Sequence, residues 1–254
     1  MTRGTGVVGG LTDDDNIWKG EAVNIYMLKK GTTEYAYFTE GSTDAIYNDA
    51  QFDTPAEADN TASGLATASD GSIKYYPPSG NFDFWGYRLD DCRLGQKRET
   101  AESIVIPFTL DGSQDIIWGK ASSDDQFGYC ARYFRQAAHM TEVPNISMSH
   151  KMTRIRFATV AGADGAGNYD GALRMGIRTI KVVRVPTRGW LTVAYLTDPS
   201  QEGVITFDWS DDANKADLEI KDSTDAAFTG FADHRVAMEE RYVGQPIQIG
   251  RAHV

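Results

Sequence analysis

Two sets of oxygen-bearing side chains in this 254-residue chain could bind a hard cation. The run Asp13-Asp14-Asp15-Asn16 is one, and Asp164, Asn168 and Asp170 are the other. Calcium loops need alternating oxygen ligands and a distant bidentate carboxylate, and neither accompanies the first run. We interpret that run as a solvated acidic loop. The second set has better spacing, but it lies in a glycine-rich stretch where we expect a linker and no metal.

The chain lacks the usual sequence signatures of catalysis. His139, His150 and His234 do not have the spacing of a two-histidine zinc helix, and no Gly-x-Ser-x-Gly elbow or Cys–His nucleophile pattern occurs. A glycosidase-type carboxylate pair is defined by distance in space, so 36 acidic residues give no guidance on it. We predict that the protein is not an enzyme and that it needs no cofactor or metal.

The densest feature is an aromatic segment at 75–87, in a chain whose aromatic content is 11%. Pro77-Pro78 cannot donate ladder hydrogen bonds, and Gly80-Asn81 readily adopt positive φ, so the segment predicts a hairpin turn. Its six aromatic residues flank that turn: Tyr75, Tyr76, Phe82, Phe84, Trp85 and Tyr87.

A strand that begins at Phe82 places Phe82 and Phe84 on one face and Trp85 and Tyr87 on the other. We expect one face to lie in the core. The second face has two interpretations: it packs against another sheet or a neighbouring domain, or it is a platform on which sugars stack.

Apolar residues alternate with the period of β-strands almost throughout, so the predicted fold class is all-β. The predicted strands are 22–28, 35–39, 73–76, 82–88, 104–110, 146–152, 154–160, 176–185, 191–196 and 204–209. The alternation changes phase between Ile146 and Phe157. Either a bulge near Thr153 or Arg154 absorbs the slip, or two separate strands occupy this stretch.

The remaining segments predict loops and little helix. Residues 56–71 are poor in apolar side chains and predict a long surface loop. A short helix can start at Thr54-Pro55-Ala56-Glu57, with proline in the first turn, and 126–141 is the best other helical candidate. Four glycines in 162–171 predict a linker and a domain boundary.

Three segments occur in an order that resembles the fimbrillin family, the pilin-like surface proteins of Gram-negative anaerobes of gut and mouth. They are the aromatic segment, the segment Gln114-Asp115-Ile116-Ile117-Trp118-Gly119, and the segment 149–157 that contains His150. In the family they read "YYP…G.YDFYGY", "QDIMW" and "F.H.L.KI.F", and the resemblance spans about residues 20 to 190. One position departs from the pattern: Ser147-Met148 stands where the family has an aromatic residue before the histidine. The motif residues outside the aromatic segment are Asp115, Trp118 and His150.

The resemblance implies two transthyretin-like β-sandwich domains, in which 1–161 is the first and 172–248 is the incomplete start of the second. It implies a stalk, tip or anchor subunit of a cell-surface fimbria that serves adhesion. Partners would be other pilus subunits, joined by β-strand addition, with host or bacterial surface ligands as further candidates. Family members reach the outer membrane as lipoproteins, so a lipid anchor would lie upstream of Met1.

In polymerising fimbrillins an arginine-specific protease removes an N-terminal segment. Arg3 is the only basic residue before Lys19, which makes it the candidate processing site. An ordinary arginine in a leader is the competing interpretation. A surface glycan-binding lipoprotein is the alternative function, with Trp85 and Trp118 as its stacking residues, and a β-sandwich enzyme is the weakest.

Charge and the chain ends complete the sequence-based expectations. With 36 acidic and 25 basic residues, the formal charge of −11 disfavours nucleic acid and anionic lipid as partners. The segment 249–254 matches a translated sequencing adapter, so we expect a non-native tail there and a protein that continues beyond Gln248. An ordinary disordered tail is the other interpretation, and Met1 is a candidate internal start.

Cys92 and Cys130 are too few for a disulfide framework and too isolated for a metal site. A single bridge between them forms only if their two segments are neighbours.

Overall fold

The computed structural model describes residues 17–30, 35–36, 49–59, 61, 63–73, 76, 80–90, 92–122, 128–155, 157–159, 179–198, 201–220, 241–242 and 247–250. These residues are mostly β, as the periodicity predicts. Their strands in chain order are β1 (Ala22–Lys30), β2 (Tyr35–Ala36), β3 (Ala50–Asp53), β4 (Thr67–Ala68), β5 (Phe82–Arg88), β6 (Arg93–Leu94), β7 (Arg98–Glu99), β8 (Ser103–Thr109), β9 (Ile117–Ala121), β10 (Ser147–His150), β11 (Met152–Ile155), β12 (Ala158–Thr159), β13 (Lys181–Pro186), β14 (Arg188–Tyr195), β15 (Val204–Phe207), β16 (Lys215–Glu219), β17 (Arg241–Tyr242) and β18 (Ile247–Gly250).

The chain divides into two compact units, and neither is a single stretch of sequence. The first unit comprises 1–109, 114–151 and 189–206. The second comprises 110–113, 152–188 and 207–254.

A seven-stranded sheet forms the larger part of the first unit. Its strand order is β10-β9-β5-β1-β3-β4, and β2 pairs with β1 off this path. β1 and β5 are antiparallel along most of their length, from Asn24↔Tyr87 to Lys29↔Phe82. All six residues of 82–87 are buried, so both faces of β5 are covered.

A five-stranded sheet, in the order β15-β14-β8-β6 with β7 also on β8, is the second sheet in the described part of the first unit. Alternate residues of β8 are buried, namely Ile104, Ile106 and Phe108. The residues between them are only half-buried. This alternation is typical of a strand with one face in the core.

Side chains of the first unit reach from the seven-stranded sheet to the five-stranded sheet. The Tyr26 hydroxyl in β1 donates to Glu99 Oε1 in β7 at 2.7 Å. The rings of Tyr26 and Tyr87 stack with centroids 6.2 Å apart. We call the face that carries these side chains the inner face of the seven-stranded sheet, and the opposite face its outer face.

The described part of the second unit contains three two-stranded ladders, β11–β18, β12–β17 and β13–β16. Its buried cluster contains Val185, Leu218, Ile220 and Ile247. The β13–β16 register shifts between Val182 and Val185. Arg184 lies at this bulge with a φ of 56°, and its amide donates to Asp217 Oδ1 at 3.0 Å.

The phase change between Ile146 and Phe157 corresponds to two separate strands. β10 ends at His150 and β11 begins at Met152, and the two belong to different sheets. Lys151 lies between them, and its amide donates to the Ile116 carbonyl at 2.7 Å. The bulge interpretation is therefore wrong.

Four local predictions need correction. Ile73 and Tyr76 lie outside strands, although 73–76 was predicted as one. The predicted loop 56–71 contains β4, because Ala68 pairs with Phe52. In 126–141 the described α-helix spans only Ala131–Phe134, and the predicted helix after Thr54 is a 3₁₀ turn at Glu57–Asp59.

Cys92 and Cys130 are buried and are not joined by a disulfide. Cys130 instead caps the short helix, where its Sγ accepts the Tyr133 amide at 3.4 Å. Among the described residues, no helix has the length and apolarity needed to span a membrane.

Several sequence-based predictions fall outside the described residues. They concern the linker 162–171, both candidate calcium sets, Arg3, Tyr75 and the segment 251–254. The first two residues of the predicted tail, Ile249 and Gly250, belong to β18.

Candidate functional site

Parts of the three motif segments lie in three neighbouring strands, β5, β9 and β10, which we call the motif strands. Of the third segment, only Ser149 and His150 belong to β10. Tyr87 of the aromatic segment pairs with Trp118. Ile117, the residue before Trp118, pairs with His150. The motif residues Asp115, Trp118 and His150 therefore lie together, although the segments are far apart in sequence.

The aromatic residues divide between the two faces of the sheet as the strand period predicts. Trp85 and Tyr87 are on the inner face and are only 1% and 2% exposed. Phe84 is on the outer face, where its ring meets Tyr76 at 6.3 Å and Tyr129 at 5.8 Å between centroids. Phe82 is buried as well, and its backbone exchanges hydrogen bonds with Tyr129.

Asp115 is a buried carboxylate that joins the start of β9 to the end of β10. Its Oδ2 pairs with His150 Nδ1, and its Oδ1 accepts the Ile116 amide at 2.8 Å. The Asp115 amide donates to Asp90 Oδ2 at 2.8 Å, and Asp90 Oδ1 accepts from Arg88 Nε at 2.8 Å. The chain of contacts runs from β10 through Asp115 and Asp90 to the end of β5.

Through these contacts, the motif residues Asp115 and His150 hold the motif strands together at their ends. This chain of contacts contains a possible general base, His150, but the described residues place no nucleophile in hydrogen-bond contact with that imidazole. Arg88 and Asp90 were not predicted from the sequence. Their signal was visible as an opposite-charge pair two residues apart at the end of the aromatic strand.

Burial raises the pKa of the Asp90 carboxyl, while hydrogen bonds from the Asp115 amide and the Arg88 charge oppose that increase. The folded state therefore holds this proton more tightly than the unfolded chain. The stability that results is complete below the ordinary pKa of 3.8 and is lost as pH rises through the higher folded pKa.

We expect Asp90→Asn to remove this dependence on pH. Asparagine tolerates the φ of 38° at this position and keeps one acceptor oxygen. The free energy of unfolding, measured by urea titration from about pH 3.5 to 7, should fall less steeply with pH in the variant than in the wild type. Parallel curves across this window would contradict the assignment.

Trp118 connects the motif strands to the five-stranded sheet. Its Nε1 donates to the Val193 carbonyl in β14 at 2.8 Å, and its ring is 5% exposed. Lys151 Nζ lies 4.5 Å from the ring centroid. Gly203 lies so close that an added Cβ would be 2.5 Å from Nε1. Trp118 is thus enclosed on several sides and anchors one sheet to the other.

A groove of about 660 Å³ lies against the outer face of the seven-stranded sheet. Most of its lining is apolar, and we call it the outer groove. Six of its lining residues are Val23, Ile25, Phe52, Phe84, Ile146 and Met148. Directly paired glycines, Gly86 and Gly119, leave room beneath Ile146. The groove was not predicted from the sequence, because its lining comes from strands and loops that are distant in the chain.

No group of three or more His, Cys, Asp or Glu side chains suited to a metal ion occurs in the described ranges. Among described tryptophans, Trp209 in the second unit is 58% exposed, in contrast to the buried Trp85 and Trp118.

A further polar cluster, also not predicted from the sequence, lies between the two sheets of the first unit. Asp49 and Lys97 pair there, close to the ends of β3 and β7.

Comparisons with protein-family models, with curated proteins and with solved structures find no match to this chain. The resemblance to fimbrillins therefore rests on the three motif segments alone and stays a prediction.

Proposed function

We propose that this protein is a structural, tip or anchor subunit of a cell-surface fimbria that assembles by β-strand addition between subunits. Its fold would be two transthyretin-like β-sandwiches. Its partners would be other pilus subunits and, for adhesion, host or bacterial surface ligands. Its place would be the outer membrane surface, reached through a lipid anchor.

The outer groove is the observation that carries this proposal. Strand addition needs unpaired backbone at a sheet edge and pockets for every second side chain of the incoming strand. The groove offers apolar positions from β1, β3, β5 and β10 of the same sheet.

A sheet edge lies at one end of the groove. β10 is the outermost strand of the seven-stranded sheet within the described ranges. A strand that pairs with β10 would direct alternate side chains to the outer face, next to Ile146 and Met148. Backbone pairing and apolar burial would then act at the same place.

The energy available from such a contact suits a durable polymer. Burying about five apolar side chains would contribute on the order of 8–15 kcal/mol before the cost of ordering the incoming segment. The free-energy cost of lost translational freedom arises once per subunit, because each donor strand remains attached to its own subunit.

Processing at Arg3 gives the first test. Treatment of the precursor with an arginine-specific protease should produce ladders on unboiled detergent gels, and Arg3→Ala should abolish them. Lys19→Ala is the matched control, since that residue is the next basic one in the chain and is no substrate for this protease. Intact ladders in Arg3→Ala would remove Arg3 as the processing site.

Filling the outer groove gives the second test, which does not depend on Arg3. Ala66 lines the groove and is half-buried, so Ala66→Trp should occupy it and reduce the ladders at least tenfold. Thr67→Trp is the matched control, because Thr67 is exposed and does not line the groove. Equal ladders in both variants, with monomers of equal melting temperature, would exclude the groove as the assembly surface.

The glycan-binding alternative receives less support from the geometry. Trp85 and Trp118 were its stacking residues, yet both rings are buried and neither offers an open face to a sugar. Lys120 Nζ also lies 4.9 Å from the Trp85 ring centroid. Fimbrial assembly is therefore the function that we favour.

A further inference from the structure

A cluster of six polar side chains lies at the junction of the two sheets of the first unit. We call it the inter-sheet cluster. Its members come from β1, from β5, from the residue before β3 and from β7 and the residue before it: Asn24, Tyr26, Asp49, Tyr87, Lys97 and Glu99. It combines an amine, two carboxyls and two phenols in one partly buried place.

Asp49 is at the centre of the inter-sheet cluster. Its Oδ1 accepts two hydrogen bonds, from the Tyr87 hydroxyl at 2.5 Å and from Asn24 Nδ2 at 3.1 Å. Its Oδ2 contacts Lys97 Nζ. Two donors on one oxygen polarise the carboxyl group. They would stabilise the negative charge that develops on that oxygen when an amine attacks Cγ. The other oxygen is left as the leaving group.

Lys97 contacts this carboxyl group, and its surroundings favour the neutral, nucleophilic form of its amine. Burial lowers the pKa of its ammonium group, with the Glu99 charge opposing this effect. A lower pKa increases the fraction of neutral amine, which is the reactive form of lysine. Only about a third of the side chain, 32%, is exposed, and Asp49 is 15% exposed.

Glu99 is the group in the cluster that can accept a proton from the Lys97 ammonium. Lys97 and Glu99 are two residues apart, so in an extended chain they lie on one face. Glu99 Oε1 accepts the Tyr26 hydroxyl at 2.7 Å, which holds the carboxylate in the cluster. Burial and then the Glu99 charge raise the pKa of Tyr87, so its phenol remains a hydrogen-bond donor to Asp49 at neutral pH.

We propose that Lys97 and Asp49 form an intramolecular amide bond that covalently joins the two sheets of the first unit. Lys97 ammonium transfers a proton to Glu99, Glu99 passes that proton to Asp49 Oδ2, and the neutral Nζ then attacks Cγ of the protonated carboxyl. The Cγ–Oδ2 bond breaks, and Oδ2 leaves as water after it receives the second amine proton through Glu99. The net change is ammonium plus carboxylate to amide plus water, with Glu99 regenerated and no oxidant or reductant consumed.

Intact-mass measurement on the purified, denatured chain tests this proposal directly. Relative to its sequence, the wild type should be lighter by one water, about 18 Da. Lys97→Met and Asp49→Ala should each have the full mass of their own sequence. Lys151→Ala is the matched control, because that lysine pairs with Glu202 outside the cluster and should leave the water loss intact.

Asp49→Asn sharpens the assignment. Attack of Lys97 on the asparagine amide expels ammonia, so this variant should reach the same final mass as the linked wild type. Peptide mapping should then show one branched peptide that contains positions 49 and 97. Glu99→Gln should leave most of the chain unlinked after the same incubation at neutral pH, and complete linkage in it would remove Glu99 from the reaction.

A wild-type chain that keeps its full sequence mass after prolonged incubation in the folded state would overturn the proposal. The Asp49–Lys97 contact would then be an ion pair. Because the wild-type mass alone decides this point, the result does not depend on whether any variant folds.

Discussion

Replacing Trp118 with alanine is expected to destabilise the first unit by about 3–5 kcal/mol, the range for removing a large buried aromatic side chain. The ring is enclosed by Gly203 and Lys151, so the cavity left behind cannot collapse easily. The Val193 carbonyl also loses its donor, which costs about 1–3 kcal/mol when the acceptor stays buried. Urea unfolding monitored by circular dichroism would measure the loss.

Two further variants separate the contributions at Trp118. Trp118→Phe keeps most of the ring but removes Nε1, so it should lose about 1–3 kcal/mol. Trp209→Ala is the matched control for tryptophan removal, because Trp209 is 58% exposed and its loss should change stability by less than about 0.5 kcal/mol. Similar losses for Trp118→Ala and Trp209→Ala would contradict the anchoring role.

Gly119→Ala is expected to displace β10 from β9 and to destabilise the first unit by about 1–3 kcal/mol or more. A Cβ at this position would lie 2.5 Å from the Ser147 oxygen and 2.8 Å from the Ser147 carbonyl carbon. These are backbone atoms of the paired strand, so no side-chain rotation can relieve the overlap. Faster hydrogen exchange of β10 amides, together with urea unfolding, would measure the effect.

Gly86 provides the comparison, because it pairs directly with Gly119 in the neighbouring strand. The two heavy atoms nearest to a Cβ there would be Ile146 Cγ2 and Met148 Sδ, each at 3.2 Å. Both atoms are at the ends of side chains that can shift by a few tenths of an ångström, so Gly86→Ala should cost less than Gly119→Ala. If the two variants lost equal stability, the backbone overlap at Gly119 would not be the cause.

Residues that alternate within one strand were predictable from the sequence. The alternation of Ile104, Ile106 and Phe108 predicts a strand with one buried face, and β8 has that burial pattern. The aromatic strand was also located correctly at Phe82–Arg88. In both cases the signal is local, because the period of the chain itself decides which face a side chain occupies.

Features that depend on distant segments were not predictable. The polar stretch 56–71 gave no sign of β4, which exists because β3 offers it an edge. The phase change before Phe157 left two interpretations open, and only the pairing of β10 with β9 and of β11 with β18 decides between them. Pairing partners are set by tertiary packing, which outweighs intrinsic strand propensity.

The same reason limited the prediction of sites. The sequence identified Asp115, Trp118 and His150 as motif residues. It did not predict that they lie close together, because this depends on the pairing of the motif strands. Asp49 carried no sequence signal at all. Its importance arises from Tyr87, Asn24 and Lys97, which approach it from three separate strands or their ends.

The division of the first unit into three stretches of chain has a consequence for folding kinetics. β14 pairs with β8, yet it enters the chain only after the residues 152–188 of the second unit. The core between the two sheets of the first unit therefore forms late, after long loops have been ordered. Such non-local topologies fold in about milliseconds to seconds. Until then β8 keeps an unpaired edge, so a chain that emerges slowly during synthesis is exposed to mispairing for that whole interval.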